Sequence, residues 1–291
     1  MRPAASGQLT VSRASLDDWN TVVRGWAAGE GWNPGLRDAD AFFAQDPEGF
    51  FLGRVDGEPV SAISVVNYGE RYAFLGFYLV RPDQRGRGHG YATWRTALGH
   101  AGDRTVGLDG VVAQQDNYRR SGFEFVHRTL RFAGRVPAGE GPGRTGGPEH
   151  VLPADSVGRA AVTAYDSACH PADRPHFVAA WLGAPGHRAL VRVVDGRVTG
   201  YGVARPADEG VKIGPLFADT RADAEALFDA LTASEDGGLV MIDVPEPNTE
   251  AVALAQQRGL EPVFETARMY TGPVREFARE KIFGVTTLEL G

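Results

Sequence analysis

FYLVRPDQRGRGHGYATW, Phe77 to Trp94, is the stretch on which the reading of this chain turns. An apolar and aromatic strand runs into Arg85-Gly86-Arg87-Gly88-His89-Gly90 and then into a helix. Glycines at 86, 88 and 90 free the backbone to turn, so successive N–H groups converge with the positive end of the helix into a cradle for a pyrophosphate. Arg85 and Arg87 add cationic donors. Two better-known glycine motifs do not match: the Gly-Lys-Ser/Thr ending of the Walker loop is missing, and the third glycine of Gly-x-Gly-x-x-Gly comes one residue early.

Working outward, strands are expected at 9–14, 49–55, 59–67, 71–80, 105–109 and 123–132, and helices at 16–28, 38–45, 90–100 and 113–121. The second half repeats this order: helices 156–168 and 175–182, strands 189–194, 197–205 and 211–217, then helix 221–233, strand 239–244, helix 248–258 and strand 263–269. Asp56-Gly57 matches Asp195-Gly196, and Gly122-Phe123 matches Gly259-Leu260, at a nearly constant offset, which argues for a tandem duplication. Residues 135–150, RVPAGEGPGRTGGPEH, are half glycine and proline and read as a linker. The expectation is an α/β fold with an α+β mixed sheet, as two tandem domains, 1–134 and 151–291. The β-rich end, Ile282 to Leu290, adds a strand to either domain.

The chain has 291 residues, 43% hydrophobic and 23% charged, enough for two cores and unlike a disordered chain. Its 30 basic and 37 acidic residues leave a net charge of -7, so no cationic field exists to hold nucleic acid. One cysteine, Cys169, makes neither an internal disulfide nor a thiolate metal site, and with histidines lacking ligand spacing no metal is expected. Cys169 and His170 are sequence neighbours, an arrangement that seldom makes a nucleophile and its base. The N-terminus lacks a signal peptide's apolar stretch, and no segment approaches the roughly 20 apolar residues that span a bilayer. A cytoplasmic protein without membrane contact is expected, its oligomeric state left open.

Val80-Arg81-Pro82 followed by Arg85-x-x-Gly88-x-Gly90 resembles motif A of the GNAT superfamily of acyl-CoA-dependent N-acyltransferases. Asn117-Tyr118-Arg119-Arg120-Ser121-Gly122-Phe123 is similar to that family's Tyr-x-x-x-Gly-Phe helix end. The second half, through KIGPLFAD and DVPEPN, resembles the acyltransferase-like domain that follows some bacterial GNAT domains. The resemblance implies direct transfer of an acetyl or other short acyl group from acetyl-CoA, or another short acyl-CoA, to a primary amine of a small molecule. A non-catalytic CoA-binding or protein-interaction module is the alternative.

By the same resemblance, Leu79 and Val80 offer backbone groups to the pantetheine arm. Arg85, Gly86, Arg87, Gly88, His89 and Gly90 bind the pyrophosphate, His89 through its backbone, and Asn117 also touches the cofactor. Tyr118 stands near the thioester sulfur, where a phenol can protonate the departing thiolate. The strand 75–80 lacks the carboxylate that many relatives place there. Asp109 then has two readings, a base acting through water or a turn carboxylate before Gly110. Glu30, Trp32 and Asn33 lie where the family forms one wall of the acceptor site. Asp243 and Glu246, at a strand's C-terminal end, suit a cationic amine or serve the helix start at Asn248. Opposite the glycine loop the second half has only Gly214 to Thr220, and opposite Tyr118 it has Ala255, so it is expected to bind no CoA and to shape the acceptor pocket.

Overall fold

Runs of β-branched and aromatic residues broken by glycine turns build the strands, as their fit to a pleated surface predicts. The computed structural model describes residues 7–136, 150–235 and 237–291. In the first half, β1 (Leu9–Arg13) leads into α1 (Leu16–Asp18), a π turn over Trp19–Val23, α2 (Arg24–Gly29) and α3 (Asp38–Gln45). Ser15 and Asp18 close a capping box at that first helix. The meander β2 (Phe50–Val55), β3 (Glu58–Tyr68) and β4 (Tyr72–Val80) follows, then α4 (His89–Leu98), β5 (Thr105–Val111), α5 (Gln115–Arg120) and β6 (Glu124–Arg135).

The second half repeats the order: β7 (Val151–Pro153), α6 (Arg159–Ala168), α7 (Pro175–Gly183), β8 (Arg188–Val194), β9 (Arg197–Pro206), β10 (Val211–Ala218), α8 (Arg221–Thr232), β11 (Leu239–Pro245), α9 (Thr249–Gln257), β12 (Glu261–Tyr270) and β13 (Ile282–Gly284). Both expected hairpin turns have positive φ at both central residues, Asp56 (51°) with Gly57 (87°) and Asp195 (49°) with Gly196 (73°), as a primed turn requires. The expected linker falls almost wholly on 137–149, outside the described residues; Arg135 still belongs to β6 and Val136 is buried.

The halves do not keep their last strands. One continuous sheet runs β1-β2-β3-β4-β5-β12-β6-β11-β10-β9-β8-β7, so β12 lies between β5 and β6, and β6 lies against β11. Among the described residues only β4–β5 and β10–β11 pair in parallel. Each exchanged strand carries an arginine to a carboxylate of the other half. Arg131 on β6 stands opposite Asp243 on β11 and grips it through Nε at 2.7 Å and Nη2 at 3.0 Å. Arg268 on β12 stands opposite Asp109 on β5 and grips it through Nε at 3.1 Å and Nη2 at 2.6 Å. Burial by itself would push Asp243 up, but Arg131 and Lys212 beside it hold it below the usual carboxylate range. For Asp109 burial wins over Arg268, and its carboxyl lies above that range.

Helices close the join as well. Phe42 of α3 stacks on Trp181 of α7 with ring centroids 6.1 Å apart, inside a core that draws on both halves. Beside it, Arg205 and Asp38 form a buried ion pair across the halves. The C-terminal segment runs over this join. Its start, β13, pairs with β10, so the β-rich end does add a strand to the second half; the remainder crosses as coil into the first. Arg174 donates to Thr286 Oγ1 at 2.7 Å and to the Gly291 carbonyl at 3.2 Å, while Tyr68 Oη donates to the Leu290 carbonyl at 3.0 Å. No helix of the described residues is long and apolar enough to cross a membrane.

Removing one arm of a crossed pair strands the other in the core. Arg131→Ala is expected to lower the unfolding free energy by about 3–5 kcal/mol in urea titrations, whereas Arg131→Met with Asp243→Leu recovers most of it. A loss below about 1 kcal/mol for the single variant would contradict this. The C-terminal segment also needs glycine beneath it, because a Cβ at Gly76 would lie 2.0 Å from the Glu289 carbonyl oxygen. Gly76→Ala should raise amide exchange at residues 285–291 in hydrogen-exchange mass spectrometry, and protection equal to that of the wild type would show that the segment is held elsewhere.

Candidate functional site

β4 and β5 pair from Tyr72↔Thr105 to Leu75↔Leu108 and then part, although each strand continues. The cause is on the other edge of β4. Between Gly76↔Ser64 and Leu79↔Ala62, β4 carries one residue more than β3, a bulge taken up at Phe77 with φ 47°. Bulged strands bend, and this one bends away from β5, leaving an open V with the β5-side backbone of 76–80 unpaired to any strand. Arg81 N–H then returns to the Val60 carbonyl at 2.9 Å and fixes where the strand ends.

The glycine loop closes the mouth of the V. Gly86 (φ 76°) and Gly88 (φ 82°) are left-handed, and Gly88 is the N-cap of the ten-residue α4. A Cβ at either would meet nothing within 4 Å, so open space lies above them. Gly90 is glycine for a different reason: a Cβ there would sit 2.7 Å from Val80 Cγ2 and 2.8 Å from Tyr78 Oη, so its absence lets α4 rest on the strand. The result is a helix N-terminus with free N–H groups facing open space, the geometry that suits a phosphate. Arg87 is exposed, and Arg85 donates to the Val80 carbonyl at 3.0 Å and pairs with Glu30.

Two hollows meet inside the V. A cavity of about 70 Å³ lies between the parted strands, with Phe77, Asp109, Arg131, Thr266 and Glu289 among its walls. A wider groove of about 420 Å³ opens between α4 and α5, lined by Tyr91, Trp94, Asn117 and Arg120 among others. Tyr78, Gln114 and Tyr118 belong to both. Tyr118 therefore stands where groove and cavity join. Its ring stacks on Trp94 at 5.7 Å and lies over Gly110, where a Cβ would come within 2.5 Å of Tyr118 Cε2. Burial raises its phenol above the ordinary tyrosine value, so it carries its proton at neutral pH.

Of the residues singled out from the sequence, Trp32, Asp109 and Tyr118 line the cavity, Asn117 lines the groove, and Leu79 to Gly90 form the strand end and loop above. Asp109 is held by Arg268. Four others lie apart from the cavity walls. Glu30 pairs with Arg85 at the loop, and Asn33 binds the Glu209 backbone at 2.8 Å, tying the halves together. Asp243 is held by Arg131 behind the cavity, and Glu246 pairs with Arg128. Asn248 caps α9. Cys169 is buried with its thiol pushed up to about 12, and His170 is sealed between Tyr68 and Tyr72.

Sequence reading did not single out Arg131, Phe264, Thr266, Leu288 and Glu289, which reach the cavity from the exchanged strands and the C-terminal segment. One signal was present: Glu289, between Leu288 and Leu290, is the one charged residue of Ile282 to Leu290. In the second half, the corresponding V between β10 and β11, open beyond Ile213↔Ile242, is filled by β13, and Val285 N–H binds the Asp243 carbonyl at 2.8 Å. Among the described residues no three His, Cys, Asp or Glu side chains cluster as a metal site.

Comparison with known proteins agrees with this architecture. Residues 15–123 match the acetyltransferase (GNAT) family and residues 162–284 an acetyltransferase (GNAT) domain. The chain is 35% identical to holothin acyltransferase of Pseudoalteromonas sp. (strain SANK 73390), over 97% of this chain and 94% of that one. Among solved structures, a presumed acetyltransferase from Pyrococcus horikoshii aligns over 100% of this chain and 99% of its own with a TM-score of 0.81 at 22% identity. A tandem GNAT protein of the clavulanic acid biosynthesis pathway aligns over 91% and 99% with a TM-score of 0.63 at 19% identity. At those identities the two structures speak for the fold alone. The bulged and parted strands, the glycine-capped helix and the repeated halves thus meet matches that span the chain, which belongs to the GNAT acetyltransferase family as a tandem of two GNAT domains.

Proposed function

We propose that this protein transfers an acetyl or other short acyl group from acyl-CoA directly to the primary amine of a small molecule, at the V of the first half. The observation that carries this reading is Tyr118 at the junction of a wide groove under a glycine-capped helix end and a smaller cavity between the parted strands. A long donor with a charged diphosphate suits the first, and a compact acceptor suits the second.

The residues divide the work by their chemistry. The first N–H groups of α4, with Arg87 and with Arg85 once it leaves Glu30, take the pyrophosphate; an exposed ion pair exchanges partners at little cost. The unpaired backbone of β4 at Leu79 and Val80 takes the amide groups of the pantetheine arm, as an added strand would. Backbone N–H groups on that edge are also the donors available to an oxyanion developing at the thioester carbonyl. Tyr118, neutral at physiological pH, protonates the departing thiolate. The second half contributes walls and no donor site, since its V is filled and its loop lacks Gly-x-Gly and an arginine fork. Holothin, for which the 35%-identical relative is named, is the first acceptor to assay.

Two substitutions test this reading. Gly88→Glu sets a carboxylate in the phosphate cradle and should abolish acetyl-CoA binding in calorimetry while the chain stays folded, with stability lowered by about 1–2 kcal/mol for a side chain at a left-handed φ; an unchanged affinity would remove the cradle from the account. Tyr118→Phe should lower kcat by about 100-fold or more with acetyl-CoA affinity unchanged. A wild type that binds acetyl-CoA yet releases no thiol with holothin or any member of a broad amine panel would point instead to a non-catalytic CoA-binding module.

A further inference from the structure

Buried carboxylates in this protein come with arginine partners. Asp38 has Arg205, Asp109 has Arg268, Asp166 has Arg174, Asp223 has Arg192 and Asp243 has Arg131. Glu289 is the exception among the described residues. It is only 4% exposed, no hydrogen bond reaches its carboxylate, and Oε2 is buried without a partner, yet the side chain lines the cavity between β4 and β5. A buried acid left without a partner destabilises the protein by itself, so its place calls for a cationic ligand.

The main chain around it is fixed. Thr287 Oγ1 accepts from the Glu289 and Leu290 N–H groups at 3.2 and 2.8 Å, while Tyr68 and Arg174 hold the next two carbonyls. Gly76 of β4 makes room for the Glu289 backbone, so the strand that lacks a carboxylate of its own is the strand against which one is delivered. The charged or titratable groups facing it are Asp109 on β5, Arg131 on β6 and Lys212 on β10, each of which feels its charge. Both acidic neighbours of the site, Asp109 and Asp243, are already neutralised by bidentate pairing.

Building on the transfer reaction proposed above, we infer that Glu289, carried into the first half on the C-terminal segment, binds the acceptor's ammonium group and takes a proton from it, so that the free amine attacks. The amine nitrogen forms the bond to the thioester carbonyl carbon and the carbon–sulfur bond breaks. Glu289 passes the ammonium's first proton to water before attack and the nitrogen's second proton to water after it, and the thiolate takes the Tyr118 proton, which solvent restores. The products are amide, thiol and one proton released to water, with no other reactant. Glu289 is a catalytic residue in this scheme, and the second half acts by anchoring the segment that bears it.

The test compares full-length wild type, Glu289→Gln and Glu289→Asp by thiol release with acetyl-CoA and holothin, or the best amine of the panel if holothin is not turned over. Expected for Glu289→Gln are an acetyl-CoA affinity within about twofold of the wild type and a kcat/KM for the amine reduced by about 100-fold or more. Its rate should also keep climbing at alkaline pH after that of the wild type has levelled, because free amine must then come from solution. Glu289→Asp should regain part of the loss. Glu289→Gln activity within about threefold of the wild type would overturn the assignment while leaving the transfer reaction intact. A loss matched by an equal loss of acetyl-CoA affinity would overturn it too, by showing a merely structural role. A wild type inactive with every amine would bring down the transfer reaction and this assignment together.

Discussion

Two arginine–aspartate pairs, crossed between the halves, constrain this molecule more than any other contact. Each arginine sits on a strand that has left its own half, and each aspartate waits on the strand opposite it in the other. Bidentate pairing in a dry interior is directional, and a one-residue slip of either exchanged strand would turn its arginine to the opposite face of the sheet. Such pairs add little net stability over apolar packing of the same volume, but an unmatched partner is strongly destabilising. They therefore act mainly on register, and the register of β12 against β5 sets where Phe264 and Thr266 stand in the cavity.

The V of the first half is the second constraint. One extra residue in β4 parts the strands, and the same parting in the second half is occupied by β13. Gly76 and Gly214 occupy matching places on β4 and β10, and each has the C-terminal segment's backbone where its Cβ would be: Glu289 O at 2.0 Å from the one and Thr286 O at 2.3 Å from the other. A single piece of chain thus closes one V and furnishes the other.

Much of this was legible in the sequence, for reasons that are local. The Asp-Gly hairpins, the helix start at Asn248 and the loop Arg85 to Gly90 all express conformational preferences of a few adjacent residues. The tandem order was legible because both halves repeat those local signals. What could not be read was which half owns a strand. Glu124–Arg135 and Glu261–Tyr270 read as strands, and do form them, but pairing choice depends on residues more than a hundred positions away. For that reason Asp109 read as a base acting through water or a turn carboxylate and Asp243 as a partner for an amine or for a helix start, when each is gripped by an arginine from the other half. Glu289 was missed because a lone acid among leucines looks like an edge residue until the path of the segment is known.

The exchange of strands also bears on how such a duplicated chain can change. One copy of a duplicated domain would ordinarily be free to erode or be deleted. Here the last strand of the second copy forms part of the first copy's sheet and its terminal stretch lies against β4 of the first, so excision would open the remaining half along β5. The two copies are thus repeated in order without being separable in structure, and neither is a complete sheet without the other.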